Sequence, residues 1–172
     1  MIIFLSVIVT FFFLLAGLLL IYICHQGNEK FLIYGEKRTK LQPLLANSDG
    51  KILICEVEFA NEGKQPVNMM DIFTRSKLNI CGEPSQFIWS KAELSGRPRK
   101  DDYFEAMVIN AKQNGKLLLH LVIPDNVKWK NYRYLADSVD ITIFCNGSAR
   151  RGLFIRSYKI SIPAIELKEA ME

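Results

Sequence analysis

The chain has 172 residues with 22 basic and 18 acidic side chains, a formal net charge of +4 spread along its length. That charge excludes a dedicated nucleic-acid binder, whose basic footprint is large and clustered. Four cysteines without a CxxC pair exclude a disulfide-framed mini-protein and supply no structural zinc set.

The first element is the least ambiguous. Ile2 to Ile23 reads IIFLSVIVTFFFLLAGLLLIYI, with no charge and only Ser6, Thr10 and Tyr22 as polar interruptions. As a helix it rises roughly 33 Å, enough to cross a hydrocarbon core. Ser and Thr bond back to carbonyls one turn earlier and cost little there. The run is apolar on every face, which does not suit a helix lying on a soluble core. A cleaved signal peptide needs a basic n-region, a shorter apolar run and a small-x-small site. This chain has instead Tyr22, Ile23 and Cys24 before His25, and Ile23 is too large for lipoprotein processing at Cys24. The sequence therefore predicts a retained signal-anchor over residues 1–25. Ala16-Gly17 is a small pair that permits close approach of another helix. Lys30, Lys37, Arg38 and Lys40 follow the helix and none precedes it, which leans the domain towards the cytoplasmic side.

Residues 26–49 are expected to be a juxtamembrane linker and a first strand, with FLIYG at 31–35 and LQPLLA at 41–46 as the apolar pieces. From Lys51 to Phe73 the chain reads KILICEVEFANEGKQPVNMMDIF. Leu53, Cys55, Val57 and Phe59 alternate with Ile54, Glu56 and Glu58, the period of a strand with one buried face. Asn61 to Lys64 supplies turn residues, and Val67 to Phe73 is expected to return as the second arm of a hairpin. Phe87 to Leu94, Tyr103 to Ile109 and Lys116 to Ile123 are each strand-like. In Val139 to Cys145, alternate residues Val139, Ile141, Ile143 and Cys145 share one face. Asn146-Gly147 is expected to open a turn, and Asn146-Gly147-Ser148 also matches a glycosylation acceptor. Phe154 to Ile162 returns with Tyr158, Ile160 and Ile162 on one side. Residues 50–165 are thus read as an all-β, two-sheet antiparallel sandwich, and residues 166–172 as a polar C-terminal tail.

VEFANEGKQPVNMMDI and ADSVDITIFCNG together resemble the broad immunoglobulin-like or fibronectin-type-III-like group, over roughly 51–163. The resemblance implies an interaction or scaffold module and carries over no functional residue. Two departures stand out. Ile143 occupies the place of the corner tyrosine, and Trp89 comes too late after Cys55 for the usual strand-C tryptophan. Cys55 and Cys145 fit either a cross-sheet disulfide or two buried thiols.

Chemistry is sparse. The only histidines are His25, beside the anchor, and His120, expected on the wet face of a strand. No catalytic residue, metal ligand or cofactor site is predicted, and no GxGxxG, GxxxxGK[ST] or GxSxG string occurs. A hydrolase would require Asp101, Asp102 and His120 to converge. Basic clusters occur at Arg97, Arg99 and Lys100, and at Arg150 and Arg151. Lys128, Trp129, Lys130, Tyr132 and Arg133 form a basic and aromatic stretch suited to headgroups or an acidic partner. The expectation is a single-pass, non-enzymatic accessory or scaffold protein whose sandwich binds a protein partner in a membrane complex. Its partners are the lipid bilayer and that protein, with neither nucleic acid nor a small-molecule substrate. The alternative is an extracytoplasmic module for polysaccharide or another surface ligand, with Trp89, Trp129 and Tyr132 as a platform.

Overall fold

The computed structural model describes residues 2–47, 50–79, 86–97, 104–123 and 138–171. Helix α1 spans Ile2–Gln26; its Thr10 hydroxyl donates to the Ser6 carbonyl at 2.9 Å. One window of it, Phe4–Gln26, is long and apolar enough to cross a membrane, with none of that window buried against the rest of the chain. Gly27, at φ 66°, ends the helix in the left-handed conformation that glycine adopts without strain.

Nine strands follow: β1 (Phe31–Arg38), β2 (Gln42–Asn47), β3 (Gly50–Asn61), β4 (Val67–Leu78), β5 (Gln86–Leu94), β6 (Met107–Ile109), β7 (Asn114–Ile123), β8 (Ser138–Ala149) and β9 (Gly152–Pro163). All described pairings are antiparallel. In one layer β1 and β2 share an edge of β3, whose other edge pairs with β7. In the other layer β6 flanks β4, which pairs with β8, and β8 with β9. Strand β5 belongs to both layers: its Gln86–Ile88 end lies on β4 and its Trp89–Leu94 end on β7. The result is a sheet wrapped into a sandwich-like barrel. Where β1 and β9 meet, side chains close the seam. The Tyr158 hydroxyl and the Arg156 guanidinium both donate to the Phe31 carbonyl, at 2.7 and 3.0 Å.

The alternation read in the sequence is the core itself. Leu53, Cys55, Val57 and Phe59 of β3 face Leu117, Leu119, Leu121 and Ile123 of β7 and Val139, Ile141, Ile143 and Cys145 of β8 in one buried cluster. Each such side chain contributes about 1.5–3 kcal/mol by leaving water. Cys55 and Cys145 are both buried free thiols.

Three expectations give way. First, Lys51 to Phe73 is no hairpin. β3 pairs with β1, β2 and β7, β4 pairs with β5, β6 and β8, and the connection between them crosses from one layer to the other. A period of two fixes which face is buried and leaves open which strand is the neighbour. A bulge between Met69 and Asp71 then shifts the phase, so that Val67 and Met69 are buried but Ile72 resumes the core. Second, Asn146-Gly147 opens no turn. β8 continues to Ala149, and Arg150 and Arg151 make the turn before Gly152 at φ 111°. Gly147 is needed inside the strand because a Cβ there would come within 2.6 Å of the Phe154 ring and 2.8 Å of the Asn68 carbonyl. Asn146 is half-buried inside β8 and not in a loop, which does not suit a glycosylation acceptor.

Third, the expected polar tail forms helix α2, Ala164–Met171. Leu167 is fully buried beneath it. Glu166 receives both guanidinium nitrogens of Arg38 at 2.6 Å and the Leu41 amide at 2.9 Å. Two turns of helix are too short for a 3.6-residue period to show in the sequence, so tertiary contacts decide the conformation.

Two predictions come from this packing. Hydrogen bonding to Arg38 holds the Glu166 carboxyl below its ordinary range. Its contribution is therefore present above the unfolded value and lost as pH falls through the lower folded value. Glu166→Gln should destabilise the domain by about 2 kcal/mol at neutral pH and flatten that acid limb in denaturant titrations. Desolvation pushes the Cys55 and Cys145 thiols up, to about 11 and about 12. In a Cys24→Ser, Cys81→Ser background neither thiol should react with a soluble disulfide reagent at neutral pH until denaturant is added. Stability should decline as pH rises above the unfolded thiol value near 9.

Candidate membrane-proximal interface

The five residues that the sequence offers as headgroup or acidic-partner contacts, Lys128, Trp129, Lys130, Tyr132 and Arg133, lie outside the described residues, as do Arg99, Lys100, Asp101 and Asp102. A different set assembles where α1 leaves the domain.

A helix ends with carbonyls that lack intrahelical partners and with a partial negative charge. Here the domain supplies the donors. Lys64 Nζ donates to the His25 carbonyl at 3.4 Å and Gln65 Nε2 to the Gln26 carbonyl at 3.2 Å. Arg150 donates to the Gln26 side-chain oxygen. The Lys64 side chain packs on Gly27, and its amide donates to the Asn28 carbonyl at 2.9 Å. Gly63 is obligatory for a steric reason: a Cβ would come within 2.4 Å of the Asn28 carbonyl oxygen and of the Lys30 nitrogen.

Asn61, fully buried, organises this end. Its Oδ1 accepts from the amides of Lys30 at 3.1 Å and Gly63 at 3.0 Å. Its Nδ2 donates to the carbonyls of Gln65, Asn110 and Ile109 at 2.7, 3.2 and 3.3 Å. Its backbone N–H donates to the Gln113 carbonyl and its backbone C=O accepts from Lys112, both at 2.8 Å. One side chain thus joins the helix exit, the β3–β4 loop and the β6–β7 turn.

These loops present Lys30, Lys64, Lys112, Arg150 and Arg151, all exposed. The two carboxylates nearby are engaged. Glu62 lies 2.6 Å from Lys30 and accepts from the Tyr34 hydroxyl; the Lys30 ammonium first and then Tyr34 hold its carboxyl below the usual range. Glu29, its side chain only 8% exposed, lies 3.9 Å from Arg156.

Beside this rim the outer face of the second layer is apolar. Register places Val108, Asn68, Ser148 and Leu153 in one cross-strand row, and Asn146 and Ile155 in the next beside Met70. Phe73 then faces Phe144, the rings stacked 4.9 Å apart. Leu153 is 80% exposed and Ile155 75%.

His120 is on the outward face of β7, as read, yet it is half-buried there, with Nε2 2.6 Å from Glu93 Oε1. Lys91 Nζ lies 3.7 Å from the same carboxylate. Trp89 and Phe87 are exposed on β5, while Trp129 and Tyr132, the other two members of the expected platform, lie outside the described residues. Among the described residues no group of three His, Cys, Asp or Glu is placed to hold a metal.

No family model and no curated protein matches the chain. Solved structures that resemble it do so distantly. The Bordetella pertussis protein assigned as ApaA aligns at 10% identity and a TM-score of 0.43, covering 78% of this chain and 95% of its own. The GAE domain of GGA2p from Saccharomyces cerevisiae aligns at 9% identity and 0.34, covering 78% and 96%. The yeast GGA1 GAE domain aligns at 11% and 0.34, covering 71% and 98%.

Removing the Asn61 side chain strands buried donors and acceptors in three segments, at about 1–3 kcal/mol for each group left unsatisfied. Asn61→Ala should therefore lower the unfolding free energy by about 3 kcal/mol or more. Amide exchange should rise first at Lys30 and Gly63, whose acceptor is lost, ahead of β7 and β8.

Proposed function

We infer that this chain is a single-pass membrane-anchored, non-enzymatic accessory protein whose immunoglobulin-like sandwich binds a protein partner, a subunit of a membrane complex. The observation that carries the reading is the apolar outer face made by Val108, Met70, Phe73, Phe144, Leu153 and Ile155. Several exposed apolar side chains on one face of a folded domain, here interspersed with Asn68 and Ser148, suit an interaction surface, and aromatic anchors with an aliphatic surround are the usual source of binding energy.

The anchor is supported by α1, whose 23-residue span Phe4–Gln26 is apolar and carries no Asp, Glu, Lys or Arg. A helix apolar on all sides needs lipid or protein around it. Lys30, Lys37, Arg38 and Lys40 following it favour a cytoplasmic domain. The immunoglobulin-like assignment is supported by connectivity. Pairing of β3 with β7, β4 with β8 and β8 with β9 corresponds to the B–E, C–F and F–G pairs of that fold. Cys55 and Cys145 then fall on the B and F strands. A non-enzymatic role is supported by the histidines: His25 sits at the helix end, and His120 is engaged by Glu93, with no second histidine or cysteine beside it among the described residues.

A photocrosslinking residue at position 155, in the full chain in its own membrane, should yield one discrete adduct. The same residue at Glu58, exposed on the opposite layer, should not. Leu153→Asp with Ile155→Asp should reduce recovery of the adduct partner about 10-fold or more while leaving the melting temperature within a degree or two. A chain that is monomeric in mild detergent and gives no adduct from position 155 refutes this function.

A further inference from the structure

We propose that the pole of the domain from which α1 emerges is a recognition surface for anionic phospholipid headgroups, built by Lys64, Lys112, Arg150 and Arg151. This deepens the anchored reading above and rests on it.

The first argument is reach. Only residues 27–30 separate the end of α1 from the start of β1, and four extended residues span at most roughly 14 Å. Even that slack is taken up. The Lys30 carbonyl accepts from the Glu62 amide at 2.8 Å and the Asn28 carbonyl from Lys64 at 2.9 Å, while Lys64, Gln65 and Arg150 bond the last helical turn directly. A helix that crosses a bilayer therefore delivers the β3–β4 loop, the β6–β7 turn and the β8–β9 turn to the headgroup layer, with no linker to hold them away.

The second argument is charge. Among the described residues none of the four cations forms an ion pair within 4 Å of a carboxylate, although Lys112 lies near enough to Glu62 to help hold its carboxyl low. Lys64 and Lys112 donate to backbone carbonyls, and Arg150 donates to an amide oxygen. The local acids are already paired, Glu62 with Lys30 and Glu29 with Arg156. An ammonium or guanidinium so placed retains donors for phosphate oxygens, and arginine does so in a fork that matches them. Four cations drawn from three loops give a surface that reads charge density and not one lipid's stereochemistry.

The test uses the full chain in nanodiscs of phosphatidylcholine alone and of phosphatidylcholine with phosphatidylserine, followed by amide hydrogen exchange. Exchange across 110–113 and 149–152 should be slower in the serine-containing discs, and the difference should shrink as salt is raised. Arg151→Gln, which leaves every bond of the helix exit in place, should lose about fivefold of the protection, and Lys64→Gln with Lys112→Gln more. Inorganic phosphate added to the neutral discs should not reproduce the slowing; if it does, the surface is a phosphate site and the lipid proposal is overturned. Equal exchange in the two disc types overturns it as well, whether slow or fast. A chain that does not enter discs at all refutes the anchor itself, an outcome distinct from a chain that enters and ignores lipid charge.

Discussion

The arrangement depends most on the hydrogen bonds of Asn61. A buried amide carries two donors and an acceptor with two lone pairs, and at this position all of them are spent on backbone groups from three stretches of chain. Nothing in those stretches has regular secondary structure to satisfy it. Without the amide, the helix exit, the β3–β4 loop and the β6–β7 turn would each need water in a place that the fold closes. Their mutual position rests on one side chain at the end of β3, to which Lys64, Gln65 and Arg150 add the contacts that hold the end of α1.

The second organising feature is the double membership of β5. A strand that pairs with β4 at its start and with β7 at its end turns two sheets into one wrapped surface. The opposite seam, between β1 and β9, is closed by Arg156 and Tyr158 on the Phe31 carbonyl. The first strand of the domain is thus held by the last, and the core between them draws on strands from every part of the described chain.

Much of the strand content was legible because burial imposes a period of two. Leu53 to Phe59 and Val139 to Cys145 declare their inner faces, and both are core. Pairing was less legible. The same alternation suits a neighbour in either layer, so the β3–β4 connection reads as a hairpin although it is a crossing between sheets. Gly147 misled for a related reason: Asn-Gly favours turns locally, but the Phe154 ring requires a glycine in the strand. The basic pole was legible only in part, through Arg150 and Arg151. Its other members, Lys30, Lys64 and Lys112, are far apart in sequence and come together only when three loops gather on Asn61, which local pattern cannot express. The exposed apolar side chains of the outer face are hidden in the same way, since Val108, Met70 and Leu153 come to share one face through register alone.

Strand β3 also sets a distance. Its C-terminal residue, Asn61, stands at the helix exit. Its N-terminal end lies beside α2, where Lys51 donates to the Met171 carbonyl. Ten residue steps of strand separate these points by roughly 33 Å. The exit of α1 and the end of α2 at Met171 therefore stand at opposite ends of β3. Were α1 to cross a bilayer, the length of β3 would hold the end of α2 at Met171 well clear of the lipid, with the domain as a spacer.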